Sequence, residues 1–190
     1  MTEMGIRIKV VRSKRRSLSL QVKPQGVILH APQQASDDEI RAFVHEHRKW
    51  LITHASRVAR ARAEALEAGK LSPEEVADLK EEGKKVFRER IAHYEPMLGV
   101  RCRRVTVRAQ KTKWGSCSAA GNLNFNCLLL LAPPEVLDSV VVHELCHLKE
   151  MNHSAAFYRH VRSVFPEYDR WNHWLKEHGP GLLQRLPELS

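Results

Sequence analysis

The sequence predicts an α+β fold, an antiparallel sheet with helices packed on it, entered through an N-terminal β-meander. Three observations carry that expectation. The first thirty residues alternate apolar and polar side chains, the middle of the chain carries a helical repeat, and short alternating segments near 105 and 123 precede an apolar helical run. A length of 190 residues suits one domain, laid out as a basic β-meander (1–34), a helical segment (35–99) and a core (100–190).

In the meander, Ile6, Ile8 and Val10 alternate with Arg7 and Lys9, and Leu18, Leu20 and Val22 alternate with Ser19 and Gln21. A turn at Lys23-Pro24-Gln25-Gly26 leads into Val27-Ile28-Leu29, and Pro32 closes the segment. Ser36 and Glu39 form a capping box for a helix carrying Ile40, Phe43, Val44 and Leu51; helical composition then continues to Gly69. Ser72-Pro73-Glu74-Glu75 opens the next helix with proline in its first position, and Gly99 ends it; Gly83 is its weak point.

Val105 and Val107 alternate with Arg104, Thr106 and Arg108, which predicts a strand. Leu123 and Phe125 alternate with asparagines in another, expected to continue through the apolar run Leu128–Leu131 and to offer an edge to an extended peptide. Pro133-Pro134-Glu135 starts a helix reaching about Glu150, and two shorter helices follow, from Ser154 and from about Glu167 to Gly179-Pro180.

Charge is unevenly spread. The chain carries a net +9, yet residues 1–31 and 101–113 each hold a net +6, leaving the remainder acidic. Both segments could serve a polyanion, a nucleotide or nucleic acid, or simply form solvated strand faces, since aromatics suited to base stacking are sparse there. No apolar run reaches the length of a signal peptide or a membrane span. The four cysteines, Cys102, Cys117, Cys127 and Cys146, make no CxxC pair, which predicts free thiols in a reducing cytoplasm.

The chemistry is concentrated in His143-Glu144-Leu145-Cys146-His147, preceded by Val140-Val141-Val142. Residues four apart on a helix share a face, so His143 and His147 can both reach one zinc ion. Glu144, one position on, flanks the metal and is expected to act as general base toward zinc-activated water. Leu137, Val141, Leu145 and Leu148 would anchor the opposite face. Lys149-Glu150-Met151-Asn152 allows the helix to end and the chain to reverse, bringing His153 back as the third ligand just before Ser154 caps the next helix. Three protein ligands and one open position define a catalytic zinc site, one ion per chain.

These residues carry a family resemblance. The zinc motif, followed by Met151-Asn152-His153-Ser154 and Phe157, resembles the YgjP-like metallopeptidases, relatives of the SprT-like zinc proteins. Lys113-Trp114-Gly115-Ser116-Cys117-Ser118 is similar to that family's second motif, and the likeness extends through Trp174–His178 and, more loosely, over the basic N-terminal strands. The resemblance implies a zincin-like active-site helix, zinc on His143, His147 and His153, a catalytic Glu144, and a peptide or protein substrate. Cys146 departs from the family, which more usually has a small residue such as alanine there.

A zinc-dependent metallopeptidase is therefore the expected function. The alternatives are a zinc-dependent hydrolase of nucleotides or other phosphoanhydrides, and a nucleic-acid-associated metalloprotein. Tyr158, Arg159, His160 and Arg162 are candidates for the group that steadies the developing oxyanion. Trp114-Gly115-Ser116-Cys117 is a poor nucleophile loop, lacking a His–acid pair, and reads better as a turn that sets Trp114 beside the cleft. His173 and His178 read as surface histidines, Cys102 and Cys127 as core thiols.

Overall fold

In a computed structural model, residues 2–3, 6–23 and 26–187 are described. The chain divides into two compact units, Met1–Glu64 and Ala65–Ser190. The α+β class holds.

The first unit contains strands β1 (Thr2–Glu3), β2 (Ile6–Ser13), β3 (Ser19–Lys23) and β4 (Gly26–Pro32), helix α1 (Asp37–Glu46) and most of α2 (Arg48–Ala68). Its sheet order is β1-β2-β4-β3, with β2 and β4 parallel and the other pairs antiparallel. A meander would have put β3 in the middle. Instead β4, which carries no charged residue, takes the centre and buries Val27, Leu29 and Ala31, while β3 with Gln21 forms an edge. Of the expected turn, Pro24 and Gln25 lie outside the described residues. Ser36 and Glu39 form the full capping box of α1, whose Ile40 and Val44 join Ile8, Leu29 and Leu51 in the core.

The second unit is built around α3 (Pro73–Leu98), α4 (Pro134–Cys146), α5 (Ala155–Val164), α6 (Tyr168–Gln184) and a three-stranded sheet of β5 (Arg104–Arg108), β6 (Gly115–Cys117) and β7 (Asn122–Asn126). The sheet order is β5-β7-β6, with β5 parallel and β6 antiparallel to β7. Both sheets are thus mixed rather than antiparallel. β7 is also not an edge: it is paired on both sides, and β5 and β6 are the edge strands. Nor does β7 run to Leu131, because Asn126 Oδ1 accepts from the Leu128 amide (3.2 Å) and turns Cys127–Leu131 into a 3₁₀ helix.

Other boundaries follow from local chemistry. Ser72 and Glu75 make the second capping box, and Gly99 ends α3 in the left-handed conformation (φ 61°). Gly83 is a packing site: a β-carbon there would stand 3.0 Å from Cγ1 of Val107 in β5. α6 continues through Gly179-Pro180 to Gln184, beyond its expected end. Phe87 of α3 stacks on Phe125 of β7 with centroids 4.6 Å apart, tying helix to sheet. Among the described residues, no helix is long and apolar enough to cross a membrane.

Candidate active site

The site rests on α4, which is buried on nearly every side. Val136, Val141, Val142, Leu145 and Cys146 are fully inaccessible, and Asp138 accepts a bidentate pair from Arg90 of α3 (2.6 and 2.5 Å) together with the Tyr94 hydroxyl (3.1 Å). A helix gripped this way fixes whatever it presents at its C-terminal end. Regular helix stops at Cys146, short of the expected Glu150, but His147 keeps helical dihedrals (φ −64°, ψ −18°) and its ring stays on the side of His143, centroids 4.9 Å apart.

The chain then reverses, and Ser154 caps α5 by accepting from the Phe157 amide (3.2 Å). The reversal returns His153 to the same place, its Nε2 lying 3.0 Å from Nε2 of His143. Phe157, fully buried, is the common support: its ring centroid lies 4.9 Å from His143, 4.6 Å from His147 and 4.9 Å from His153.

One nitrogen from each of the three histidines lies within 4.8 Å of the others. Tetrahedral bonds of about 2.1 Å would hold such nitrogens about 3.4 Å apart, so this donor set fits a single divalent cation. The outer ring nitrogens of His143 and His147 are already engaged. His147 Nδ1 donates to the Glu150 carbonyl (3.2 Å), which leaves its Nε2 lone pair inward. His143 Nδ1 meets the buried Tyr168 hydroxyl at 2.8 Å. Burial, reinforced by the neighbouring imidazoles, pulls His143 down to about 3, so it is held in the neutral form that can bind metal.

Glu144 is 6% exposed, and burial pushes its carboxyl up to about 7, with Lys113 acting weakly in the other direction. A carboxylate near neutrality is suited to accepting and returning a proton. Its position depends on β6: a β-carbon at Gly115 would stand 2.5 Å from Glu144 Oε1 and 2.7 Å from its Cγ. Trp114 needs the same concession from α6, where a β-carbon at Gly179 would lie 2.9 Å from Cζ2 of the indole. Asn126, 1% exposed, fixes the approach to both by donating to the Gln110 and Lys113 carbonyls (2.7 and 2.9 Å), while its amide donates to Trp114 (2.8 Å).

Two adjoining cavities meet at Glu144. One, of about 300 Å³, is lined by all three histidines with Cys117 and Met151. The other, of about 220 Å³, lies between Trp114, Val140, Tyr168, Asn172 and Leu175. Trp114 borders the cleft as its sequence context suggested.

Of the four oxyanion candidates, Tyr158 stacks beside His153 at 6.2 Å. Arg162 is paired with Asp169 (2.8 Å) over the Tyr158 ring, and none of the four lines either cavity. Burial and the nearby Glu144 raise the Cys117 thiol, the wrong direction for a nucleophile. Cys127 is buried in the core and Cys102 packs against it; His173 is exposed and His178 stacks on Trp174. Tyr168, Asn172 and the role of Gly115 at the site were not among the residues expected from the sequence. Only Gly115 carried a signal, as the glycine of the Trp-Gly pair.

The chain matches the family model described as YgjP-like, metallopeptidase domain, over residues 16–78 and 74–178. Two solved structures are similar in part. The metallopeptidase zymogen of Pyrococcus abyssi abylysin is 26% identical, covers 47% of this chain and 92% of its own, and superposes with a TM-score of 0.43. The metallopeptidase zymogen of Methanocaldococcus jannaschii jannalysin is 22% identical, covers 47% and 93%, and has the same TM-score of 0.43. No curated protein matches the sequence.

Proposed function

The chain belongs to the YgjP-like metallopeptidase-domain family and is a metallopeptidase; from that premise we propose that it holds one zinc ion through His143, His147 and His153 and cleaves peptide bonds with Glu144 as general base. The observation that carries the reading is the convergence of three imidazoles beside a buried carboxyl tuned near neutrality. Three nitrogen donors with an open position suit zinc above the harder cations.

When bound, the metal supplies Lewis-acid chemistry, polarising the scissile carbonyl and acidifying water. Glu144 Oε1 and Oε2 make no hydrogen bond to a described residue, leaving them available to take the proton of the attacking water and return it to the leaving amine. Tyr168 holds the His143 ring through Nδ1, and the Glu150 carbonyl holds His147. Of the four candidates for steadying the carbonyl oxygen, Tyr158 is the one whose ring stacks beside a proposed ligand, His153, although it lines neither cavity. The free side of β6, next to Glu144, can receive an extended peptide by main-chain pairing.

A second property favours a polyanionic partner as well. Arg101, Arg103, Arg104, Arg108, Lys111 and Lys113 are all exposed, and the ion pairs of the described residues use none of them. Four free thiols agree with a reducing compartment such as the cytoplasm.

The test is metal analysis of the purified protein followed by digestion of a mixed peptide pool. About one zinc per chain, with cleavage abolished by chelation and restored by zinc, is expected. Full cleavage after complete metal removal would refute the proposal.

A further inference from the structure

The cavity beyond Glu144 has a chemistry of its own. It shares His143 and Glu144 with the histidine-lined cavity but includes neither His147 nor His153. Glu144 lines both cavities, so the amine to which it would return a proton lies at their junction; the histidine-lined cavity carries the candidate metal donors, which leaves this one for the side chain on the amine side. The walls are chiefly apolar: the indole of Trp114, Val140, Leu175 and the ring of Tyr168. At about 220 Å³ the space suits one large side chain and is smaller than most pockets for free small molecules, roughly 300–1,000 Å³.

Lys113 and Glu144 are shared with the histidine-lined cavity, and two of the polar side chains that line only this one are committed elsewhere. Ser139 Oγ donates to the Val136 carbonyl (2.7 Å), and the Tyr168 hydroxyl is bound to His143. Asn172 differs, because its half-buried carboxamide makes no hydrogen bond with the described residues. An amide with both a donor and an acceptor unspent, in an otherwise apolar pocket, favours an occupant with a hydrogen-bonding tip over the same shape without one.

We propose that this cavity is the specificity pocket for a large uncharged side chain on the amine side of the scissile bond, and that Asn172 selects a tyrosine-like side chain with a polar tip. The inference rests on the peptidase reading. It assigns Trp114 and Val140 to shape and Asn172 to chemical choice.

The experiment compares zinc-loaded protein on peptides identical except for Tyr, Phe, Leu, Ala or Asp at that position. Tyr should be cut about tenfold faster than Phe, and Phe about tenfold faster than Ala, with Asp the poorest. Asn172→Leu should abolish the preference of Tyr over Phe, and Val140→Phe should favour Ala. Because Val140 is buried, Asn172→Leu is the decisive variant, with melting temperature and zinc content confirming that it folds.

A parallel titration of zinc-loaded protein with N-acetyl-tyrosinamide, followed by NMR at the Trp114 indole N–H, reads the pocket without turnover. The signal should move in wild type and move much less in Asn172→Leu. Equal cleavage of Tyr, Phe and Ala peptides, or a Tyr preference that survives Asn172→Leu, overturns the proposal. If no peptide is cut, the peptidase reading fails by itself, and an unmoved Trp114 signal then sinks the pocket as well.

Discussion

The carboxylate of Glu144 occupies the room that a side chain at Gly115 would need: a β-carbon there would stand 2.5 Å from Oε1. Strand β6 and the candidate metal helix are therefore fitted to each other through the absence of one methyl group. Gly115→Ala should push the carboxylate away from its place between the two cavities. Turnover is expected to fall about a hundredfold, with zinc content unchanged and a stability loss of about 1–3 kcal/mol from overpacking. Wild-type turnover in Gly115→Ala would show that the carboxylate position is not critical.

Glu144→Gln tests the proton transfer itself. The amide keeps the size and fills the same space, but cannot accept a proton. Zinc content should match wild type and peptide turnover should drop about a hundredfold or more. Loss of zinc would instead make Glu144 a ligand, and full activity would end its role as base.

Local signals were readable in the chain and long-range ones were not. The capping box at Ser36, the helix start at Ser72 and the i,i+4 histidine pair are set by neighbours within one or two turns, and each stands where the residues indicated. The pairing of β2 with β4 is not local. Alternation shows that a segment is a strand but not which strand lies beside it. The apolar run Cys127–Leu131 has no polar alternation, and whether it continues a strand or coils is decided by the Asn126 side chain. Tyr168 reaches His143 across 25 positions, and Gly179 stays helical with the Trp114 indole against it. Neither contact leaves a periodic trace.

His153 is the proposed ligand most exposed to solvent, and it comes from a turn rather than from α4. Its removal should leave the fold intact while costing affinity. His153→Ala is expected to weaken zinc binding at least a hundredfold in a chelator competition, with little change in the metal-free melting temperature. Unchanged zinc affinity would assign the third position to another group, with the Glu150 carboxylate the first to test.

The Arg90–Asp138 pair joins α3 to the middle of α4. Asp138 is nearly buried, whereas Arg90 is about one-third exposed, so loss of the pair should cost less than the roughly 3–5 kcal/mol of a fully buried one. Asp138→Ala is expected to destabilise by about 2 kcal/mol in urea unfolding, leaving the Tyr94 hydroxyl and the Arg90 guanidinium without their shared acceptor. A change below about 0.5 kcal/mol would mean that α4 is held by its apolar contacts alone.

The basic segment around β5 gives a prediction independent of catalysis. Arg101, Arg103 and Arg104 are exposed, and the nearby Arg108, Lys111 and Lys113 extend the same charge without an acidic residue between 101 and 113. If these groups contact phosphates, affinity for single-stranded DNA should fall steeply with salt, since each contact releases condensed counterions. Replacing Arg101, Arg103 and Arg104 with serine removes up to three contacts, and the slope of log affinity against log salt should flatten by about 2. The proposed zinc site lies on other residues, so zinc content and peptide turnover should stay at wild-type levels in this triple variant. The two activities would then be separable, with anionic partners brought near the cleft by a surface that takes no part in the chemistry. Weak binding in wild type with no salt dependence would instead identify the arginines as the solvated face of a short strand, whose charge serves solubility rather than recognition.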